Sequence, residues 1–414
     1  MTEAMTEAVT ASMAEAATEA SARAATNAPV EAASEAAAET ATNAPAEQDT
    51  LRYAYFPGCS ADSTGISFTH STNYVAQKIG IELMEIPDWC CCGTSAALVT
   101  DKNLAVALPA RSLALAEQMD ANLTVTTPCA GCYNSLKSAV HYARRGEKQL
   151  KHVEELIEMP YAAQADVKSF LEIMAAPAVR ERIPATLTKK LDGLKVASYY
   201  GCALVRPAAV CTFDNVENPQ SMDELVALTG AEPVKWAFKT ECCGASHQIT
   251  KPKDSRILIE RIFENAAAQG VQAIATACPL CMLNLDMRQS EINRARAKQG
   301  KPSFDIPVYC FTELLGYCMG GTPKEVGLTT HFTPAVERLD EAAKAAEAAA
   351  AAKIAAAAVA EATKKAEAAA LAQAATSAKA ATSAKAATSA KAAASASTAK
   401  APATLSPQIE EVQQ

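Results

Sequence analysis

The chain has 414 residues, 14 cysteines and a formal net charge of −8. That length suits two or three domains. Residues 1–50 alone hold nine acids against one arginine, so the middle of the chain is not strongly charged, and it carries no basic patch with interleaved aromatics of the kind nucleic acid requires.

Residues 1–50 are almost entirely Ala, Glu, Thr and small polar types. Alanine favours helix, but this stretch has too little large apolar surface to build a core, so it reads as a disordered or transiently helical arm. Residues 51–56 form a strand that ends at Pro57-Gly58, which places Cys59 at the carboxyl end of a strand, the edge where open α/β sheets bind ligands. A helix over 66–79 and a strand over 81–86 follow, and Pro87-Asp88-Trp89 leads into Cys90-Cys91-Cys92-Gly93. The pattern continues with a helix over 101–119, a strand over 123–127 and a break at Pro128. Cys129-Ala-Gly-Cys132 then opens a helix over 133–143.

Residues 148–190 read as a mostly helical connector. The strand series resumes over 195–200 and turns at Gly201-Cys202-Ala203. After it come a helix over 219–229, a strand over 232–236 and the segment Glu241-Cys242-Cys243-Gly244-Ala245-Ser246. A helix over 254–269 has Ile257, Ile259, Ile262 and Phe263 as candidates for its buried side. A strand over 271–276 precedes Cys278-Pro-Leu-Cys281, where the next helix begins, and a short strand at 307–309 precedes a helix over 311–319. Such alternation specifies α/β units with parallel strands. From about 341 onward the chain is Ala/Lys-rich, with Thr-Ser-Ala-Lys-Ala-Ala repeated three times from Thr376. A period of six specifies no coiled coil, which leaves a lone helix or a disordered arm.

The boundaries are therefore an arm over 1–50, a first domain over 51–145, a helical connector over 146–194, a second domain over 195–335 and a low-complexity tail over 336–414. There is no basic segment followed by an apolar leader and no run of 18 strongly apolar residues. A chain able to bury its own cores has no need of a secreted disulfide scaffold, so a reducing cytoplasm is expected.

The cysteines repeat with the elements. Cys59, the pair Cys91-Cys92 and Cys129-x-x-Cys132 make one set, and Cys202, the pair Cys242-Cys243 and Cys278-x-x-Cys281 the other. The lone cysteine precedes the first cysteine of its pair by 32 and 40 residues, and the second cysteine of the pair precedes the CxxC by 37 and 35. Two such sets imply two copies of one structural unit. Five thiolates exceed the four ligands of a zinc ion, and soft thiolates select iron–sulfur centres, so a multinuclear iron–sulfur site is expected in each copy; spacing does not give the iron count. Cys211, Cys310 and Cys318 have no partners at ligand spacing and read as small buried hydrophobes. Cys90 is an extra thiol, since the parallel with Cys242 favours Cys91 and Cys92. His247, four residues after Cys243, is a candidate proton donor to a departing thiolate, and Trp89 and Trp236 are candidates for packing against the paired-cysteine loops.

These words and their flanks resemble the B subunit of heterodisulfide reductase, a family with two CCG cysteine-rich domains. The resemblance covers about residues 52–325 and is densest at Glu241–Ser246, Ala277–Asp286 and Pro307–Gly316. It implies two pseudo-symmetric Rossmann-like domains in tandem, flanked by the Ala-rich arms. It further implies two noncubane [4Fe-4S] clusters, one held by Cys59, Cys91, Cys92, Cys129 and Cys132, the other by Cys202, Cys242, Cys243, Cys278 and Cys281. The implied activity is reduction, or reversible formation, of a small-molecule thiol disulfide. The implied partners are a ferredoxin-like C subunit with cubane [4Fe-4S] clusters and a flavin-containing A subunit, with membrane association only through partners. The competing reading is an electron-transfer component of a quinone-linked or sulfur-oxidising complex, with no disulfide substrate of its own.

Overall fold

Two four-stranded parallel sheets carry the fold in the computed structural model, which describes residues 50–396. Apart from Thr50, the arm expected over 1–50 lies outside the described residues, as does the tail beyond 396. The first sheet is built from β1 (Leu51–Tyr55), β2 (Ile81–Glu85), β3 (Val125–Thr127) and β4 (Val167–Ser169), in the order β2-β1-β3-β4. The second uses β5 (Lys195–Tyr199), β6 (Glu232–Pro233), β7 (Ala273–Thr276) and β8 (Val308–Cys310), in the order β6-β5-β7-β8. The two orders are the same, so the chain is two tandem α/β domains of one topology.

Burial explains the composition of the central strands. Val125, Thr126 and Thr127 are all buried, as are Ala273 to Thr276, because helices cover both faces of a parallel sheet. The edge strand β6 is shorter than the 232–236 expected: Pro233 has no amide hydrogen for a ladder, and pairing stops at Val196–Pro233. The stretch 148–190, read as mostly helical, also supplies β4, whose three residues pair with β3 from Val125–Val167 to Thr127–Ser169.

The helices of the first domain are α1 (Ile66–Ile79), α2 (Ala96–Thr100), α3 (Lys102–Met119), α4 (Ala130–Ala143), α5 (Glu147–Ile157), α6 (Phe170–Ala175) and α7 (Pro177–Arg180). Those of the second are α8 (Ser221–Leu228), α9 (Pro252–Ala268), α10 (Pro279–Ala297) and α11 (Phe311–Cys318). Asp101 caps α3, its carboxylate accepting the amide hydrogens of Asn103 and Leu104 at 2.7 and 2.9 Å. In α9, Ile259, Ile262, Phe263 and Ala266 are buried, whereas Ile257, a candidate for the same side, is 60% exposed. Two residues of helix turn through about 200°, which sends Ile257 to the face opposite Ile259.

The domains exchange helix contacts about a pseudo-dyad. Helix α1 of the first packs on α11 of the second, and α8 of the second packs on α6 of the first. Phe68 meets Phe311 edge-on at 6.1 Å, and the buried hydroxyls of Ser71 and Thr312 share a hydrogen bond of 2.7 Å. Beyond the second domain, α12 (Val336–Ala396) is one continuous helix of 61 residues, about 90 Å at the helical rise. Leu339, Ala343 and Ala346 anchor its first turns, and from Glu347 its described side chains are exposed.

Candidate functional site

Every cysteine of the two sets lies at the carboxyl edge of its sheet. Cys59 follows β1, Cys91 and Cys92 follow β2, and Cys129, after β3, is the residue that caps α4. Cys202 follows β5, Cys242 and Cys243 follow β6, and Cys278, after β7, caps α10. A strand entering a helix through a single capping residue turns the first amides of the helix toward that residue.

Within each domain the second cysteine of the pair meets the CxxC. Cys92 Sγ is 3.4 Å from Cys132 Sγ, and Cys243 Sγ is 3.4 Å from Cys281 Sγ. The Gly93 amide donates to Cys91 Sγ at 3.4 Å, and the Gly244 amide donates to Cys242 Sγ at 3.3 Å. The turns above β1 and β5 work alike. Gly58 has φ +83°, and a Cβ there would stand 3.0 Å from Cys132 Sγ; Gly201 has φ +66°, and its Cβ would stand 3.3 Å from Cys281 Sγ. Glycine at both positions lets the lone-cysteine loop lie directly on the CxxC.

The two sets also touch. Hydrogen bonds from Cys129 and then Cys281 hold the Cys278 sulfur well below the ordinary thiol range, so the CxxC of one domain meets the CxxC of the other. Cys92 is lowered to about 3 by hydrogen bonds from Cys132 and Cys91. Cys242 is lowered to about 6, chiefly by the Cys202 hydrogen bond, with the Gly244 amide and the charge of His247 adding to it. His247 closes the short 3-10 turn Ala245–His247 and is exposed.

Cys59, Cys91 and Cys242 are exposed, Cys202 is half-buried, and the remaining six are buried. Cys90 points elsewhere: its thiol donates to the Leu108 carbonyl of α3 at 3.5 Å. Cys211, Cys310 and Cys318 are buried. Trp89 stacks edge-on against Phe56 at 5.2 Å, and Trp236 donates to the Ser198 carbonyl at 2.9 Å, so each indole ties a paired-cysteine loop to the strand beside it.

The cofactor expectation requires correction. Among the described residues, no group of three or more His, Cys, Asp or Glu side chains is placed to hold a metal ion. The closest buried sulfur contact in each domain is a pair, Cys92–Cys132 and Cys243–Cys281, and Cys59, Cys91 and Cys242 are exposed. The expected iron–sulfur, metal-binding character, and with it the two noncubane [4Fe-4S] clusters, is not supported by this arrangement.

One functional-looking cluster escaped the sequence reading. His331, buried, has Nε2 at 3.1 Å from Glu313 Oε1 and Nδ1 at 3.6 Å from Asp286 Oδ2. Asp286 lies on α10, the helix that Cys278 caps, and accepts the amides of Phe332 and Thr333 at 2.7 and 2.9 Å. The three residues are separated by 27 and 18 positions, with no motif word around them.

Two tandem α/β domains, each with a lone cysteine, a Cys-Cys-Gly and a CxxC on one sheet edge, define a duplicated cysteine-rich redox module. The CCG cysteine-rich domain pattern matches residues 53–137 and 196–286. The chain is 32% identical over 287 residues to the 8-methylmenaquinol:fumarate reductase membrane anchor subunit of Wolinella succinogenes, covering 69% of this chain and 98% of that protein. It is 29% identical over 300 residues to the B subunit of the ferredoxin/F(420)H(2)-dependent CoB-CoM heterodisulfide reductase of Methanosarcina acetivorans, covering 71% and 96%. A crystal structure of a hypothetical protein from Helicobacter pylori shares the fold at a TM-score of 0.56 and 12% identity, over 70% of this chain and 53% of that one. The chain belongs to the CCG cysteine-rich domain family and is homologous to oxidoreductase complex subunits of the heterodisulfide reductase B-subunit type. Among the described residues no helix is long and apolar enough to cross a membrane.

Proposed function

We propose that this chain is the disulfide-directed component of a cytoplasmic oxidoreductase complex, reducing or reversibly forming a small-molecule thiol disulfide where its two domains meet. The observation that carries this reading is the contact between Cys129 and Cys278, which brings both cysteine sets to one place. Reduction of a disulfide consumes two electrons and two protons and yields two thiols. The electrons come from a flavin-containing partner through a ferredoxin-like one, and these partners also provide any attachment to a membrane. The ten cysteines of the two sets line the reaction site. In this reading His247, which is exposed and whose charge acts on Cys242, protonates a departing thiolate.

A second reading, electron transfer in a quinone-linked complex without a disulfide substrate, is favoured by one observation. The Wolinella succinogenes relative, of which this chain covers 98%, is named for a menaquinol reaction. One assay separates the two. The chain with its partner subunits is expected to reduce a mixed disulfide with a reduced viologen as donor, and Cys202→Ser is expected to lose turnover while remaining folded. Full turnover in that variant would remove the second cysteine set from the reaction path. Electron transfer to a quinone but to no disulfide would establish the second reading.

A further inference from the structure

We infer that a cavity in the first domain, between α2, α3, α4 and α5, is a binding site for a quinone headgroup. The inference rests on the quinone-linked reading and gives it a location. The cavity is about 500 Å³, within the usual range for small-molecule sites. It runs along α4 from Asn134 to Tyr142, eight residues or about 12 Å of helix. At one end it reaches the buried Cys92, whose sulfur lies against Cys132. At the other end is His152, whose Nε2 lies 3.2 Å from Asn103 Oδ1 and whose ring meets that of Tyr142 at 6.5 Å.

The lining has the two parts that a quinone needs. Leu98, Val106 and the Tyr142 ring offer apolar surface for a flat ring. The Ser138 hydroxyl and the Lys102 ammonium offer donors to carbonyl oxygens, and the His152 ring, held by its hydrogen bond to Asn103 Oδ1, closes that end of the cavity. Leu98 is 67% exposed at the rim, and its chain neighbour Val99 is 89% exposed, so apolar surface continues from the cavity toward solvent, where a hydrocarbon tail would leave. A single lysine and no arginine in the lining disfavour a phosphorylated ligand, and of the ten thiols of the two sets the cavity touches only Cys92.

The second domain closes the corresponding space. Asn284, three residues after Cys281 as Ser135 is after Cys132, is buried, and its amide donates to the Cys243 carbonyl at 2.9 Å and to Ser255 Oγ at 3.2 Å. The shorter Ser135 leaves room where Asn284 bridges two elements, so duplication of the fold does not by itself produce the cavity.

Calorimetric titration of the full chain with 2-methyl-1,4-naphthoquinone tests the assignment. Binding is expected, and Ser138→Phe, which fills the cavity, should weaken it about tenfold or more. Leu98→Arg, on the exposed rim where folding is not at risk, and His152→Ala should each weaken it several-fold, while Ile249→Ser in the second domain should leave it unchanged. Unaltered affinity in folded Ser138→Phe and Leu98→Arg would overturn the site, and displacement of the naphthoquinone from it by a mixed disulfide would overturn the ligand class. Absence of binding to the unsubstituted chain would also overturn the inference. Quinol oxidation by the partner complex, measured separately, then decides whether the quinone-linked reading falls with it.

Discussion

The buried cluster of Asp286, His331 and Glu313 makes stability depend on pH in a direction that can be worked out. Burial opposes a charged imidazole, but the Glu313 carboxylate beside it, its hydrogen bond and the charge of Asp286 outweigh burial and raise His331 from 6.5 to about 9. A folded-state value above the unfolded one means that folding is favoured by the bound proton. The contribution is complete below pH 6.5 and is lost as pH rises through about 9. At roughly 1.4 kcal/mol per unit of displacement, its full size is on the order of 3 kcal/mol. That agrees with the roughly 3–5 kcal/mol lost when one member of a buried ion pair is removed.

The perturbation is His331→Gln, which keeps a donor toward Glu313 and removes the charge. Denaturant unfolding of both proteins from about pH 6 to about pH 10 should show the largest gap at the acid end and convergence at the alkaline end. The cysteines titrate in both proteins and cancel in the difference. A gap that stays constant across the range would refute the assignment, as would an imidazole resonance of His331 titrating near its ordinary value.

Gly58→Ala should destabilise by more than Gly193→Ala: both have positive φ, costing about 1–2 kcal/mol for any side chain, but only at Gly58 would the new methyl meet a sulfur, Cys132 Sγ at 3.0 Å. Thermal melts of the two variants measure the difference, and equal losses would show that contact with the CxxC does not matter. Removal of residues 351–414 should leave the melting temperature unchanged, because the described side chains there are exposed, whereas removal from 336 onward takes away Leu339 and the Tyr317–Asp340 hydrogen bond of 2.7 Å and should lower it.

How much of this was legible in the sequence differed by scale. The strands before Cys59, Cys129, Cys202 and Cys278 were readable because each is a short β-rich run stopped by Pro, Gly or the cysteine itself, and the doubled cysteine words gave the duplication. Strand β4 was not, because Val167-Lys168-Ser169 is too short to show an alternation and sits within a helical stretch. Its place is set by pairing with β3, a contact 42 residues away. The charge cluster at His331 was invisible for the same reason: long-range packing, not local pattern, assembles it. The cysteine spacing was legible as a repeated motif, but the count of thiols gave no information on how they would face one another, and the iron–sulfur expectation drawn from it is not supported, since among the described residues no group of three or more His, Cys, Asp or Glu side chains is placed to hold a metal ion.

Duplication has placed the same frame twice, and the differences between the copies therefore point to separate roles. Cys59 is exposed where Cys202 is half-buried, and Cys90 is an additional thiol turned onto α3 in the first copy alone. The first domain is open behind its CxxC, whereas the second is closed there by Asn284. The second instead buries a charge cluster on the helix that follows its CxxC, and Asp286 of that helix ties down residues 331–333, which lead into α12. A symmetric module would have no reason to keep one domain accessible and the other sealed and charged. The asymmetry is one of packing: the first domain keeps a cavity that reaches Cys92, and the second fills the corresponding place with Asn284 and buries Asp286, Glu313 and His331 behind its CxxC.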